Sequence, residues 1–219
     1  MKTVPRSYEL VFVDDCSTDD TWQKIAEAHR LDPRVRGLRH TKNSGQSAAL
    51  WTGFQRTMSP ILATLDGDLQ NDSADLPSMI EQLASADFIT GTRVKRADSW
   101  VRRVSSKIAR SARRAILKVD IQDSGCAMRV FRRQTLSAAF PFNGLHRFLP
   151  ILVASAGFKT EQVSVHHRPR VAGVSKYGVG NRLWRGILDL LAVAWFQKRR
   201  LRSAEVESIG IDETDKHLR

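Results

Sequence analysis

Cysteine is nearly absent: Cys16 and Cys126 are the only two in 219 residues. Neither stands at a metal-ligand spacing from the other or from a histidine. That excludes a zinc-binding or disulfide-framework protein and suits a reducing compartment. Each is expected to be a small core residue. Acidic residues are also short, with 23 Asp and Glu against 35 Lys and Arg, a formal net charge of +12. Such a balance points to an anionic partner: nucleic acid, anionic lipid or a phosphorylated substrate. Aromatics, at 7%, are not interleaved with the basic residues as a groove for single strands requires, which sets nucleic acid aside. Long apolar runs are missing too. A membrane-spanning helix needs about 20 apolar residues, and the nearest approach, Gly186 to Phe196, is shorter and carries Asp189. Met1 to Arg6 has no apolar run of the secretory-leader kind. The expectation is a chain that does not span a membrane unaided.

What is present is strongly patterned. Basic residues gather from Arg93 to Arg133 and again from Arg168 to Arg202, and Glu205 to Asp215 is acidic. Tyr8–Val13, Val35–His40, Ile61–Leu65 and Asp87–Gly91 read as short strands. Between them, Asp20–His29, a segment opening at Asn43-Ser44-Gly45, and Asp75–Leu83 read as helices, with Ser17 or Asp19 capping the first. This alternation predicts an α/β fold, a mostly parallel, Rossmann-like sheet with helices on both faces. Beyond Arg93 the pattern predicts a basic amphipathic helix over Trp100–Leu117, a strand over Cys126–Phe131 and a helix over Phe148–Ala156. A strand over Glu161–His166, a basic loop over Arg168–Gly178 and an amphipathic helix over Leu183–Phe196 follow. Three segments are expected: an α/β domain over 1–182, a basic amphipathic C-terminal helix at the membrane over 183–202, and a disordered tail over 203–219.

The run Ile61-Leu62-Ala63-Thr64-Leu65-Asp66-Gly67-Asp68-Leu69-Gln70 carries the main chemical signal. Asp66 and Asp68 follow an apolar strand at its carboxyl end, where open α/β sheets bind ligands. Two carboxylates there suit Mg²⁺ or Mn²⁺, which share oxygen ligands with substrate phosphates. Alone, such a pair is a weak signal and reads by default as a solvated acidic turn, and Val13-Asp14-Asp15-Cys16-Ser17 alone reads as a capping turn. Taken in order with Asn43-Ser44-Gly45-Gln46-Ser47-Ala48-Ala49-Leu50, they are similar to one family. These blocks resemble the inverting glycosyltransferases of the GT-A fold that make polyprenyl-phosphate sugars, the dolichyl-phosphate mannose synthase group and its bacterial relatives. The resemblance continues through Asp123-Ser124-Gly125-Cys126-Ala127-Met128-Arg129, His146-Arg147-Phe148-Leu149-Pro150 and Arg168 to Tyr177, and covers the chain to about residue 196.

The resemblance implies transfer of a sugar, with inversion, from a nucleotide-diphosphate sugar to a polyprenyl (dolichyl or undecaprenyl) phosphate. The protein would be cytoplasmic and peripheral at the cytosolic membrane face. It implies Asp15 as a nucleotide contact, Asp66 facing the ribose or sugar, and Asp68, with Gln70, as ligand to Mg²⁺ or Mn²⁺. It further implies Arg168, Ser175 and Lys176 in a loop over the donor diphosphate. Arg93, Arg102 or Arg103, and Ser106 fall at the acceptor phosphate, and Asp123 and Arg129 at the floor of the site. Arg102 and Ser106 share a helix face, and guanidinium forks match phosphate oxygens. An Asp123–Arg129 pair of purely structural role is the alternative for the floor. Arg110, Arg113 and Arg114 read as a solvated or lipid-facing helix, and His146, His166 and His167, isolated from carboxylates, read as structural. Similar proteins open with one more strand, whose loss would expose a row of backbone donors and acceptors inside the sheet. Two rival readings stand: transfer to a hydroxyl of a lipid-linked glycan or polysaccharide, with Asp123 as base, and an inactive, basic membrane-binding remnant. Expected partners are the donor, the lipid acceptor, the membrane surface, and a membrane-anchored subunit or a second copy.

Overall fold

The computed structural model describes residues 7–93, 111–112, 114–168 and 180–200. The expected helix over Trp100–Leu117 falls mostly outside these residues, although 114–117 is helical. Arg102, Arg103, Ser106, Ser175, Lys176 and the tail also lie outside them.

Strand β1, Leu10–Asp14, and β2, Val35–Arg39, pair in parallel from Leu10↔Val35 to Asp14↔Arg39. Helix α1, Thr21–Leu31, makes the crossover and turns Ile25 inward. Its start is tied by Asp19, whose Oδ1 accepts from the Thr21 amide at 3.1 Å and the Thr21 hydroxyl at 2.5 Å. Helix α2, Gln46–Gln55, then leads to β3, Ile61–Thr64. Helix α3, Leu76–Glu81, is flanked by single 3₁₀ turns, so the regular helix is shorter than the sequence pattern suggests. After β4, Phe88–Arg93, come β5, Arg129–Arg132, helix α4, Leu145–Ser155, β6, Thr160–Val165, and helix α5, Gly180–Arg199.

β3, β5, β4 and β6 form one sheet in that order. β4 and β6 are parallel, while β5 runs against both neighbours. The chain leaves β4 at its carboxyl end and re-enters β5 at that same end, where Asp123 meets Arg93. Without a crossover, β5 can only run antiparallel. Adjacent residues on these strands serve opposite faces. Phe88 and Phe131 stack at 4.9 Å and join Phe54, Leu145, Leu149 and Leu152 on one side. Ile89 and Val130 join Leu76, Met79, Leu83 and Val165 on the other.

β1 and β2 form a separate two-stranded sheet. Among the described residues, the second edge of β1 and the outer edge of β3 have no strand partner. Helix α2 spans both sheets. Its Gly53 lies over β1, where an added Cβ would stand 3.5 Å from Val13 Cγ2, while Phe54 meets Phe131 edge-on at 5.7 Å.

Helix α5 has two apolar sides. Leu190 and Val193 are buried in the core, and Phe196 lies against Phe140 at 3.9 Å. Ile187, Leu188, Leu191 and Trp195 are exposed. No helix among the described residues is long and apolar enough to cross a membrane. One cysteine expectation is corrected. Cys126 is buried, but Cys16 is a half-buried turn residue at φ 61°, with Sγ 3.6 Å from Thr41 O. The turn that follows Asp14 needs a left-handed residue there, which takes the thiol out of the core.

Candidate active site

The carboxyl ends of β1 and β3 meet at the amino end of α2. Asp15, just beyond β1, accepts the Ser44 amide on Oδ1 at 2.8 Å and the Gly45 amide on Oδ2 at 2.6 Å. His40 Nδ1 also meets Oδ1 at 2.8 Å, and its Nε2 lies 2.9 Å from Thr52 Oγ1. Burial pushes the Asp15 carboxyl up, but the bonds from His40, Ser44 and Gly45 outweigh it and hold it below the usual value. Both oxygens of the residue expected to touch the nucleotide thus hold the 43–45 turn. Gly45 there has φ +89°, a conformation side chains other than hydrogen disfavour.

One residue on, Gln46 Nε2 donates to Asp66 Oδ1 at 2.7 Å. Next, the buried Ser47 Oγ accepts the Gly144 amide at 3.0 Å and meets His146 Nδ1 at 2.7 Å. His40, Gln46 and Ser47 were not singled out from sequence. Their signal was only the polar block opening α2, which does not say which strand end each will reach.

Asp66 and Asp68 stand in the turn after β3. Gln70 N–H donates to Asp68 Oδ1 at 3.2 Å, and Leu69 between them is left-handed at φ 60°. The segment after β6 lies along this turn. Arg168 N–H donates to Gln70 O at 2.8 Å, and Gln70 Nε2 donates back to Arg168 O at 3.3 Å. The Arg168 guanidinium pairs with Asp72, so Arg168 anchors the beginning of the basic loop beside the acidic turn. His166 is not isolated from carboxylates as the sequence suggested: its amide and Nδ1 both meet Asp75 at 2.8 Å. The pairing joins residues 91 apart in the chain, which no local spacing reveals.

At the end of β4, Arg93 grips Asp123 with two prongs, Nε to Oδ2 at 2.7 Å and Nη2 to Oδ1 at 2.8 Å. The two residues expected at the acceptor phosphate and the site floor are therefore brought together. Arg129 goes elsewhere: its Nη2 donates to Ser124 O at 3.2 Å and His146 O at 2.6 Å. The His146 carbonyl is available because Pro150, four residues on in α4, has no N–H to give it. Arg129 is 2% exposed, and burial lowers its pKa to about 10 although Cys126, Asp66 and Asp123 favour the charge. Its Nε has no hydrogen-bond partner among the described residues.

Burial, then the charge of Asp68, push the Asp66 carboxyl above its usual value, against the pull of Arg129, Gln46 and Arg93. A carboxylate whose ionisation is opposed by burial and by a neighbouring acidic side chain is suited to a divalent cation, which removes the conflict. Among the described residues no three His, Cys, Asp or Glu side chains converge as a complete cage. Asp66, Asp68 and Gln70 fit instead the incomplete oxygen set of a cation that shares its shell with a substrate diphosphate.

Solved structures of the same fold give the class: the chain has the GT-A glycosyltransferase fold. Among them is glucosyl-3-phosphoglycerate synthase from Mycobacterium tuberculosis, in complex with Mn²⁺ and uridine-diphosphate-glucose. Its TM-score is 0.58 at 18% identity, over 89% of this chain and 70% of that one. A mannosyltransferase from Pyrobaculum calidifontis, in complex with GDP-Man and Mn²⁺, gives 0.54 at 19%, over 90% and 56%. The chain belongs to glycosyl transferase family 2, whose description residues 4–140 match. It is 35% identical over 210 residues to a dodecaprenyl-phosphate galacturonate synthase of Rhizobium johnstonii, covering 92% of this chain and 61% of the relative. To an undecaprenyl-phosphate 4-deoxy-4-formamido-L-arabinose transferase of Aeromonas hydrophila it is 32% identical over 176 residues, 80% of this chain and 54% of the relative. The chain thus spans between half and two thirds of these relatives' length.

Proposed function

We propose that this protein transfers a sugar, with inversion, from a nucleotide-diphosphate sugar to a polyprenyl phosphate at the cytosolic face of a membrane. The observation that carries the reading is the Asp66–Asp68 pair at the carboxyl end of β3, held by α2 and faced by the buried Arg129. The names of the curated relatives, both polyprenyl-phosphate sugar transferases, support the acceptor class. Mg²⁺ or Mn²⁺ held by Asp68, Asp66 and Gln70 would neutralise the leaving diphosphate.

The chain's own residues do the rest. Asp15 and His40 fix the turn from which Gln46 reaches Asp66. Arg93, paired with Asp123 at the carboxyl end of β4, would offer its guanidinium to the acceptor phosphate. A phosphate oxygen is already anionic at neutral pH, so attack on the sugar carbon needs no strong base, and catalysis rests on positioning and charge stabilisation. Transfer to a hydroxyl would need a free carboxylate base. The only residue expected for it, Asp123, is held by both prongs of Arg93, which favours the phosphate acceptor.

The test offers nucleotide-activated galacturonate, 4-deoxy-4-formamido-L-arabinose, glucose and mannose with radiolabelled sugars. Undecaprenyl phosphate and, separately, a free oligosaccharide serve as acceptors, in the presence of Mg²⁺ or Mn²⁺. Label moving to the lipid phosphate and not to the oligosaccharide is the expected result. Label on the oligosaccharide alone would overturn the proposal.

A further inference from the structure

Three consecutive residues at the start of α2 each hold a different part of the site. The Gly45 amide holds Asp15, the Gln46 side chain holds Asp66, and Ser47 Oγ holds Gly144 and His146. The middle contact differs in kind. Ser47 is buried and ties two helices together, so its loss would disturb the scaffold. Gln46 is exposed, so little packing depends on it, and the group it grips is one of the paired carboxylates.

We propose that Gln46 is a positioning residue for divalent-cation binding. Its neutral amide fixes Oδ1 of Asp66 without cancelling the charge, so that the Asp66–Asp68 pair meets the cation already oriented. The inference rests on the metal-dependent reading above. Neutrality is the property that matters. Arg129 and Arg93 already place positive charge near Asp66, and a further cation on α2 would compete with the metal for the same carboxylate. A carboxylate at position 46 would repel Asp66 and lose the bond. An amide gives a directional donor with no net charge. Partners that orient a ligand in this way commonly change metal affinity 10–100-fold when removed, roughly as second-sphere hydrogen bonds do elsewhere.

Mn²⁺ is the probe, titrated without nucleotide into the whole chain and followed by loss of the free aqua-ion signal in electron paramagnetic resonance. The variants are Gln46→Leu, which removes the donor, and Gln46→Lys, which can keep a bond to Asp66 but adds charge. Melting temperature is measured alongside. Gln46→Leu should bind Mn²⁺ about tenfold more weakly than wild type, Gln46→Lys more weakly still, and both should melt within a degree or two of it. A purely structural tie predicts the reverse order, with Lys close to wild type. Unchanged Mn²⁺ affinity in both variants overturns the inference alone, as does a loss of affinity matched by a fall in melting temperature. Where the wild-type chain takes up no Mn²⁺ alone, the series is repeated with uridine or guanosine diphosphate to complete the shell; no uptake there either overturns the metal reading and this inference with it.

Discussion

The half-buried Asp68 and the exposed His166 illustrate how differently two polar residues can depend on the fold. Asp68 lies in a turn whose geometry is local, set by Leu69 at φ 60° and by the Gln70 amide. Its place in a turn just beyond a strand was therefore readable from ten consecutive residues. Asp68→Ala removes the carboxylate proposed as a ligand and is expected to weaken Mn²⁺ uptake at least about tenfold, with the fold unchanged by circular dichroism. Undiminished uptake would remove Asp68 from the ligand set. His166 depends on a contact far along the chain, and its partner was not readable. The Asp75 carboxylate raises the His166 pKa above its usual 6.5, first by hydrogen bonding and then by charge. A raised folded-state value means that the pair's contribution is full below about 6.5 and is lost as pH climbs through the raised value. The side chain is exposed, so the effect on stability is small, and the ring itself is the better reporter. A histidine NMR titration should give His166 a pKa above 6.5 that returns toward it in Asp75→Asn. The same pKa in both proteins would mean that the tie does not form in solution.

Elements were legible where one face decides them. β1, β2, β3 and the helices between them follow from apolar alternation and turn residues, and their observed bounds differ from the pattern by no more than three residues. The direction of β5 was not legible, because it depends on the chain returning to the end it left. Nor was the strand's start, which lies at Arg129 and not Cys126, because the turn bond from the Cys126 amide to Asp123 O holds that stretch out of the ladder. The bond between β5 and α4 explains a proline in an otherwise apolar helix. Pro150 leaves the His146 carbonyl without its helical donor, and the buried Arg129 supplies one. Arg129→Met should cost roughly 2–4 kcal/mol in urea unfolding, because it strands two buried carbonyls. In a Pro150→Ala background the amide at 150 can serve His146 O, so the same change should cost about 1 kcal/mol less. Strict additivity in this double-mutant cycle would mean that Arg129 and Pro150 are not coupled.

At the scale of the whole molecule, the charge and one face of α5 remain to be accounted for. The sequence placed Trp184, Ile187, Leu188, Leu191, Trp195 and Phe196 on one face of an amphipathic helix and assigned that face to the membrane ahead of the core. In the structure the helix does both with different residues. Leu190, Val193 and Phe196 face the core, and Arg147 pins the helix through Asp189 at 2.9 Å. Ile187, Leu188, Leu191 and Trp195 stay outside, with Trp195 61% exposed. Arg199 lies over the Trp195 ring at 5.3 Å, so a guanidinium and an indole share that end of the stripe. An apolar stripe closed by tryptophan and basic residues suits the headgroup level of an anionic bilayer, and a chain of net charge +12 adds long-range attraction. A lipid acceptor would present its phosphate at that same level. The protein is therefore expected to sediment with phosphatidylglycerol-containing vesicles at low salt and to release progressively as ionic strength passes about 0.15 M, where the screening length falls to roughly 8 Å. Leu191→Glu should weaken binding at every salt concentration, because it buries a charge with the stripe. The fold should be unaffected, since Leu191 faces away from the core. A folded chain that ignores these vesicles at low salt, or a Leu191→Glu variant that binds as well as wild type, would show that the stripe does not meet lipid.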